Sequence, residues 1–122
     1  LLITTAIRVP TPNVSLAVLV LNLKEEVTKA ELNEFLKNSA FTSKYRQIIG
    51  YTNSPEAVST DFYSSPFATI IASQATIAEG NQVTLYCWYD NEFGYSKQVL
   101  NLTKKVAKIE LPRFPKAIDP SV

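Results

Sequence analysis

The sequence contains no histidine, no methionine and only one cysteine, Cys87. Without histidine the chain lacks the side chain whose pKa is best suited to proton transfer near neutral pH. A single cysteine cannot form an internal disulfide, and we expect no metal site. The three glycines stand apart from one another, so the sequence has no glycine-rich loop for a dinucleotide.

The charge and hydrophobicity of the chain also exclude several classes of protein. A net charge of +1 and 46% hydrophobic residues are typical of an ordinary globular domain. No apolar run reaches the roughly 18 residues of a membrane span, and we predict none. The basic residues near the C-terminus have no aromatic stacking platform beside them, which argues against nucleic-acid binding.

The chain begins with Leu1 rather than methionine. We therefore expect a processed product, a fragment or a chain seen in part. A removed leader would leave no trace here, so both the cytoplasm and an organelle such as the mitochondrion stay open as locations.

The residue patterns predict an α+β fold, an antiparallel-rich mixed sheet with helices packed on one face. The run VSLAVLVLNL at 14–23 is apolar on both faces, which is typical of a strand that is covered on both sides. Thr28 and Glu31 form a capping box at the start of a helix. Glu79-Gly80-Asn81 predicts a tight hairpin, because Gly and Asn tolerate positive φ. The predicted strands span 6–9, 14–23, 46–51, 58–62, 67–78 and 82–89, and the predicted helices span 29–38 and 92–107.

The prolines at the C-terminal end divide the chain into two parts. Pro112, Pro115 and Pro120 prevent a helix or central strand from continuing. We predict one folded domain at 1–109, followed by an extended tail at 110–122 that has too little apolar surface to fold alone.

Three motifs resemble signatures of the phosphorylating glyceraldehyde-3-phosphate dehydrogenase family, and they occur in that family's order. They read AIRVPTPNVS at 6–15, VSTDF at 58–62 and WYDNEFGYS at 88–96. The resemblance covers roughly residues 6 to 107 and only the C-terminal part of the family's catalytic domain. It implies that Arg8 binds phosphate, that Asn91 contacts the nicotinamide amide of NAD, and that Tyr95 lies near the nicotinamide ring.

The same resemblance shows which parts of the reaction this sequence does not carry. The family oxidises an aldehyde through a thioester, which needs a thiolate nucleophile, a base and a dinucleotide-binding domain. The family's nucleophile lies in an upstream segment that is absent here, and Cys87 falls in the middle of an apolar strand, as an inert core thiol does. We predict no catalytic residue and no cofactor for this chain alone.

Two functional hypotheses stay open. The first is a non-catalytic structural or interaction subunit that binds protein subunits through strand 14–23 and tail 110–122. The missing half and the apolar pair Ile70-Ile71, where the family has a polar pattern, favour it. The second is the C-terminal half of a split, processed or partly seen NAD-dependent dehydrogenase of glycolysis, which Arg8 and Asn91 favour. From the residues alone, WYDNEFGYS is also compatible with a simple strand-to-helix corner, in which an Asn or Asp caps the first free N–H groups of the helix.

Overall fold

The computed structural model describes residues 9–109. Five strands and two helices follow one another as β1 (Ser15–Asn22), α1 (Lys29–Phe41), β2 (Ile49–Thr52), β3 (Thr69–Ala72), β4 (Ile77–Glu79), β5 (Gln82–Tyr89) and α2 (Phe93–Val106). The predicted strand at 6–9, apart from Val9, and the predicted tail at 110–122 lie outside the described residues. Neither α1 nor α2 is long and apolar enough to cross a membrane.

Strand β5 is the centre of the sheet, whose order is β1-β5-β3-β2. It pairs antiparallel with β1 along its whole length, from Ser15 opposite Tyr89 to Asn22 opposite Gln82. It also pairs antiparallel with β3 and with β4, whereas β2 and β3 are parallel. The sheet is therefore mixed and mainly antiparallel, which confirms the predicted fold class.

The core lies between one face of this sheet and α1. Alternate residues of β5, Val83, Leu85 and Cys87, are buried at 1%, 7% and 6% exposure, as the twofold period of a strand requires. Leu32 and Leu36 of α1 pack against the cluster that Leu85 and Cys87 form. On the opposite face of β5, the ring of Trp88 meets that of Phe62 at 5.6 Å between centroids.

The predicted capping box at the start of α1 is present. The N–H of Glu31 donates to the Thr28 hydroxyl at 3.3 Å, and the N–H of Thr28 donates to the Glu31 carboxylate at 3.0 Å. The helix runs three residues beyond the predicted end at 38, and the ring of Phe41 meets that of Tyr51 in β2 at 6.3 Å between centroids. This contact of Phe41 with the sheet stabilises the additional turn of the helix.

The predicted strand at 58–62 is wrong, because Ser59–Phe62 forms a short 3-10 helix. The carboxylate of Asp61 accepts the N–H of Val58 at 2.9 Å, and the N–H of Asp61 donates to the carbonyl of Val58 at 3.0 Å. This local pairing satisfies backbone groups that a strand would have offered to a neighbour.

The predicted strand at 67–78 is interrupted, and the strand predicted at 46–51 starts later. A 3-10 turn at Ser73–Ala75 separates β3 from β4, because the Ser73 hydroxyl donates to the carbonyl of Thr52 at 2.9 Å and its carbonyl accepts from Asn33. The N–H of Arg46 donates to the Ser43 carbonyl in a turn, so β2 begins only at Ile49.

The hairpin predicted around Glu79-Gly80-Asn81 is confirmed. Glu79 pairs with Gln82, which leaves a two-residue loop of Gly80 and Asn81. Gly80 has φ +58°, a conformation that glycine adopts without strain at the first position of a tight hairpin loop. The loop also holds the exit of β1, since the N–H of Leu23 donates to the Asn81 carbonyl at 2.8 Å.

Helix α2 follows β5 and contacts the described residues through its first turns. A Cβ added at Gly94 would lie 2.6 Å from the carbonyl oxygen of Phe67, and the side-chain amide of Gln98 donates to the carbonyl of Pro66 at 3.0 Å. The apolar stripe of this helix is exposed. It consists of Tyr95, Val99, Leu102 and Val106.

Candidate functional site

The junction between β5 and α2 is organised by the carboxylate of Asp90, which is only 2% exposed. Its Oδ1 accepts the N–H groups of Glu92 at 3.0 Å and Phe93 at 2.9 Å. These are two of the N–H groups that the start of α2 leaves without an intrahelical partner, so Asp90 caps the helix.

The second oxygen of the same carboxylate receives donors from two other segments. The N–H of Ser64 donates to Oδ2 at 2.9 Å, and the side-chain amide of Asn13 donates to it at a longer 3.4 Å. Asp90 thus joins the segment before β1, the loop after the Ser59–Phe62 turn and the start of α2.

The hydrogen bonds also determine the charge state of Asp90. Burial would raise the pKa of this carboxyl group, but hydrogen bonds from Phe93, Ser64, Glu92 and Asn13 together outweigh it and hold the pKa below its ordinary value. The group is therefore an anion at neutral pH, and it accepts four hydrogen bonds from the described residues.

The resemblance assigns roles to three residues, and two of them, Asn91 and Tyr95, lie at the surface four positions apart in the chain. Asn91 directly follows Asp90 and is exposed, and Tyr95, four residues later, is 70% exposed. A spacing of four residues brings side chains to the same side of a helix start. Arg8 lies outside the described residues, so the structure tests neither its position nor its distance from Asn91.

Cys87 is buried in β5, as the sequence predicts, and burial raises the pKa of its thiol above the ordinary value although a hydrogen bond with Thr69 acts in the opposite direction. A thiol that is neutral and covered is a poor nucleophile. Within residues 9–109, no group of three or more His, Cys, Asp or Glu side chains is placed to hold a metal ion.

The structure does not support one argument for the hypothesis of a non-catalytic subunit. Ile70 and Ile71, the apolar pair that departs from the family pattern, are 6% and 4% exposed. Both are buried in β3 on opposite faces of the sheet, where only Ile71 belongs to the core cluster beneath α1, and they form no surface for a partner.

The sequence reasoning foresaw that an Asn or Asp of WYDNEFGYS caps the helix, but it missed Asn13 and Ser64. Asn13 lies in the AIRVPTPNVS motif and Ser64 lies two residues after VSTDF. Each of the three motifs therefore reaches the same carboxylate, either directly or through a following residue. Their joint presence was the only available signal, because no local pattern reveals that distant segments meet.

The fold and this junction define an α+β domain in which a mixed sheet carries one helix on a face and a second helix from its central strand. The family model described as glyceraldehyde 3-phosphate dehydrogenase, C-terminal domain, matches residues 1–91. The chain belongs to this family, which confirms the resemblance seen in the sequence.

Curated relatives agree with this assignment. The chain is 49% identical over 111 residues to a glyceraldehyde-3-phosphate dehydrogenase-like protein of Pseudomonas aeruginosa, covering 91% of this chain and 24% of that protein. It is 45% identical over 103 residues to glyceraldehyde-3-phosphate dehydrogenase 2 of Bacillus subtilis, covering 84% and 30%. The corresponding enzyme of Zymomonas mobilis is 38% identical over 104 residues, covering 84% and 31%. The chain thus spans about a quarter to a third of the length of these relatives.

Proposed function

We propose that this chain acts as a non-catalytic interaction module in a larger assembly of the glyceraldehyde-3-phosphate dehydrogenase family, with β1 as its main contact surface. The supporting observation is that β1 exposes apolar side chains on both faces. The five that are 41–60% exposed are Leu16, Val18, Leu19, Val20 and Leu21. Contiguous apolar surface of this kind marks an interaction site.

The face of the sheet opposite α1 is the better surface for a partner. There Leu16 and Val18 lie beside Trp88 and Tyr86 of β5 in the antiparallel register. Fully burying a Val or Leu side chain contributes about 1.5–3 kcal/mol. Leu16, Val18 and Val20 lie on this face and are about half exposed, so covering them contributes about 3 kcal/mol. A free energy of this size favours association only at high protein concentration, unless further contacts add to it.

The test is the mass of the 122-residue chain in solution, measured by light scattering and by sedimentation equilibrium. We expect an oligomer for the native sequence and a monomer for Val18→Asp, because a carboxylate on β1 would be buried without a partner. Val106→Asp is the matched control, since Val106 is 76% exposed but lies at the end of α2. A native chain that stays monomeric at high concentration, or an equal effect of both variants, would refute the β1 surface.

The tail 110–122 is the second contact surface that we propose. It combines the prolines noted above with Arg113 and Lys116, whose charges Glu110 and Asp119 balance. A chain that ends at Ile109 should bind its protein partner at least tenfold more weakly. Unchanged binding by this shortened chain would remove the tail from the proposal.

We infer that the chain alone has no dehydrogenase activity. Its only thiol is buried with a raised pKa, so the chain has no activated thiolate nucleophile. It also has no histidine to serve as the base beside one. With glyceraldehyde 3-phosphate, NAD and phosphate, the purified chain should form no NADH above the rate without protein. NADH formation by the purified chain would contradict this inference.

A second function is favoured by the exposure of Asn91 and Tyr95 beside a fixed helix start. As part of a complete NAD-dependent dehydrogenase, the chain would contribute these residues to the nicotinamide end of the cofactor site. A side-chain amide has both a donor NH2 group and an acceptor oxygen, which fits the carboxamide of nicotinamide. When bound, NAD would supply the hydride acceptor, and Asn91 would only orient it.

Mass spectrometry distinguishes the two functions. The intact mass of the native polypeptide, and of the complex that contains it, shows whether a dinucleotide-binding segment and a nucleophilic cysteine accompany this chain. If they do, Asn91→Ala should raise the KM for NAD with a smaller effect on kcat. If the complex lacks them, the second function fails.

A further inference from the structure

Two strained backbone positions lie next to Asp90. Val14 has φ 72° and Ser64 has φ 57°, although neither is glycine. A positive φ is uncommon for any residue with a Cβ and is an outlier for a β-branched residue such as valine. Such conformations persist only where the surrounding contacts impose them, and they gather at functional sites.

The contacts that impose both conformations lead to one oxygen atom. Ser64 donates its own N–H to Asp90 Oδ2. The side chain of Asn13 bridges to Val14, because its Oδ1 accepts the N–H of Val14 at 2.8 Å while its Nδ2 points at Asp90 Oδ2. Donors from both strained turns therefore converge on a carboxylate that is shielded from water.

We propose that Asp90 is a positioning residue whose two oxygens have separate tasks. Oδ1 holds the first turn of α2, and Oδ2 holds the turns at Val14 and Ser64. Asn91 lies in the chain between Asp90 and the helix that Asp90 caps. These contacts together therefore fix the position of the Asn91 side chain. The inference rests on the second function above, the contact of Asn91 with a nicotinamide carboxamide.

The division of tasks matters because hydrogen bonds tolerate little displacement. Donor and acceptor atoms must lie about 2.7–3.2 Å apart, so a shift of about 1 Å in Asn91 would remove its bond to a bound carboxamide. A helix cap alone fixes Asn91 relative to α2. The second oxygen fixes α2 and Asn91 relative to the segment before β1 and the loop at Ser64.

The variant Asp90→Asn separates the two tasks. Asparagine is as good a helix cap as aspartate, so its carbonyl oxygen still accepts from Glu92 and Phe93. Its NH2 group then faces the donors of Ser64 and Asn13, and those two bonds are lost. In the full 122-residue chain, NMR should show amide exchange at Ser64 at least tenfold faster, exchange at Phe93 changed less than twofold, and shifted side-chain amide resonances of Asn91.

Thr28→Ala is the matched control, because it removes the cap of α1 and lowers global stability without touching the junction. It should leave the resonances of Asn91 and Ser64 unchanged. If Asp90→Asn does the same, or if it speeds exchange everywhere equally, Asp90 is only a stabilising residue and the proposal is wrong.

A second variant covers the case in which Asp90→Asn does not fold. Asn13→Ala removes one donor to Oδ2 and the bond to Val14, yet it keeps the carboxylate. It should shift the Asn91 resonances although Asn13 lies in a distant part of the sequence, and unshifted resonances would overturn the proposal. Titration of NAD into the native assembly tests the Asn91 contact separately, and absence of binding would refute the second function without altering the positions measured by NMR.

Discussion

The rings of Phe62 and Trp88 lie with their centroids 5.6 Å apart and their planes tilted by 31°. Trp88 is the only tryptophan, so its fluorescence reports this contact. Phe62→Leu should lower the free energy of unfolding by about 1 kcal/mol, since aromatic pairs contribute about 0.5–1.5 kcal/mol beyond their buried area. It should also shift the emission of Trp88 to the red. Phe35→Leu, at a site that is 67% exposed, should do neither.

Substitution of Gly94 tests the close approach of α2 to the loop before β3. Alanine usually stabilises a helix by about 1 kcal/mol relative to glycine. Here its Cβ would lie 2.6 Å from the backbone carbonyl of Phe67, which cannot rotate away. Because overpacking costs about 1–3 kcal/mol, we expect Gly94→Ala to be destabilising in urea unfolding. Ser96→Ala, on the exposed side of the same turn, should change stability by less than about 0.5 kcal/mol.

The thiol of Cys87 should be protected in the native protein. Burial raises its pKa, so the thiolate fraction at pH 8 is smaller than for a free cysteine, and access to the sulfur is blocked as well. A thiol reagent should therefore react at least a hundredfold more slowly with the native chain than with the chain in urea. Equal rates in the two conditions would show that β5 opens readily.

The stability of the domain should fall in acid partly because of Asp90. Its pKa is lowered in the folded state, so its contribution is fully present above the ordinary aspartate value of about 3.9 and is lost as the pH falls through the lowered pKa. Asp90→Asn should be less stable than the native chain at pH 7 and should show a shallower decline below about pH 4. Glu31, whose pKa is also lowered, leaves part of the slope in both proteins. Urea unfolding from pH 7 to pH 2.5 measures the difference, and parallel curves would contradict it.

Substitution of the buried Thr76 should raise the stability of the domain. It is 1% exposed, and its hydroxyl group has no hydrogen-bond partner within residues 9–109. Thr76→Val keeps the shape of the side chain and removes a buried polar group, so we expect an increase of about 1 kcal/mol in the free energy of unfolding. Thr76→Ser keeps the hydroxyl and removes a methyl group, and it should lower stability instead.

The parts of the fold that were predicted correctly have strong local signals. The capping box at Thr28 and Glu31, the glycine of the hairpin at Gly80 and the alternation of β5 each arise from neighbouring residues. The wrong strand at 58–62 shows the limit of this reasoning, because a single Asp61 side chain replaced the pairing that the apolar pattern favoured. The break in 67–78 has the same origin, since Ser73 bonds to β2 and α1 rather than to a strand partner.

The candidate site was predictable only in part. The motif around Asn91 was visible, and so was the presence of an Asp or Asn in position to cap α2. The convergence of Asn13 and Ser64 on Asp90 depends on the tertiary fold, and positive φ at Val14 contradicts what valine prefers. No residue pattern contains that information.

The pairing of β1 with β5 has a consequence for synthesis on the ribosome. Strand β5, which pairs with β1 along its whole length, follows it in the chain only after α1, β2, β3 and β4, so β1 waits while these elements are translated. Contacts between distant segments form slowly, and unpaired apolar strands are prone to aggregate in the meantime. A nascent chain of this domain should therefore bind a holding chaperone until β5 has left the exit tunnel, and release should follow within the next few residues.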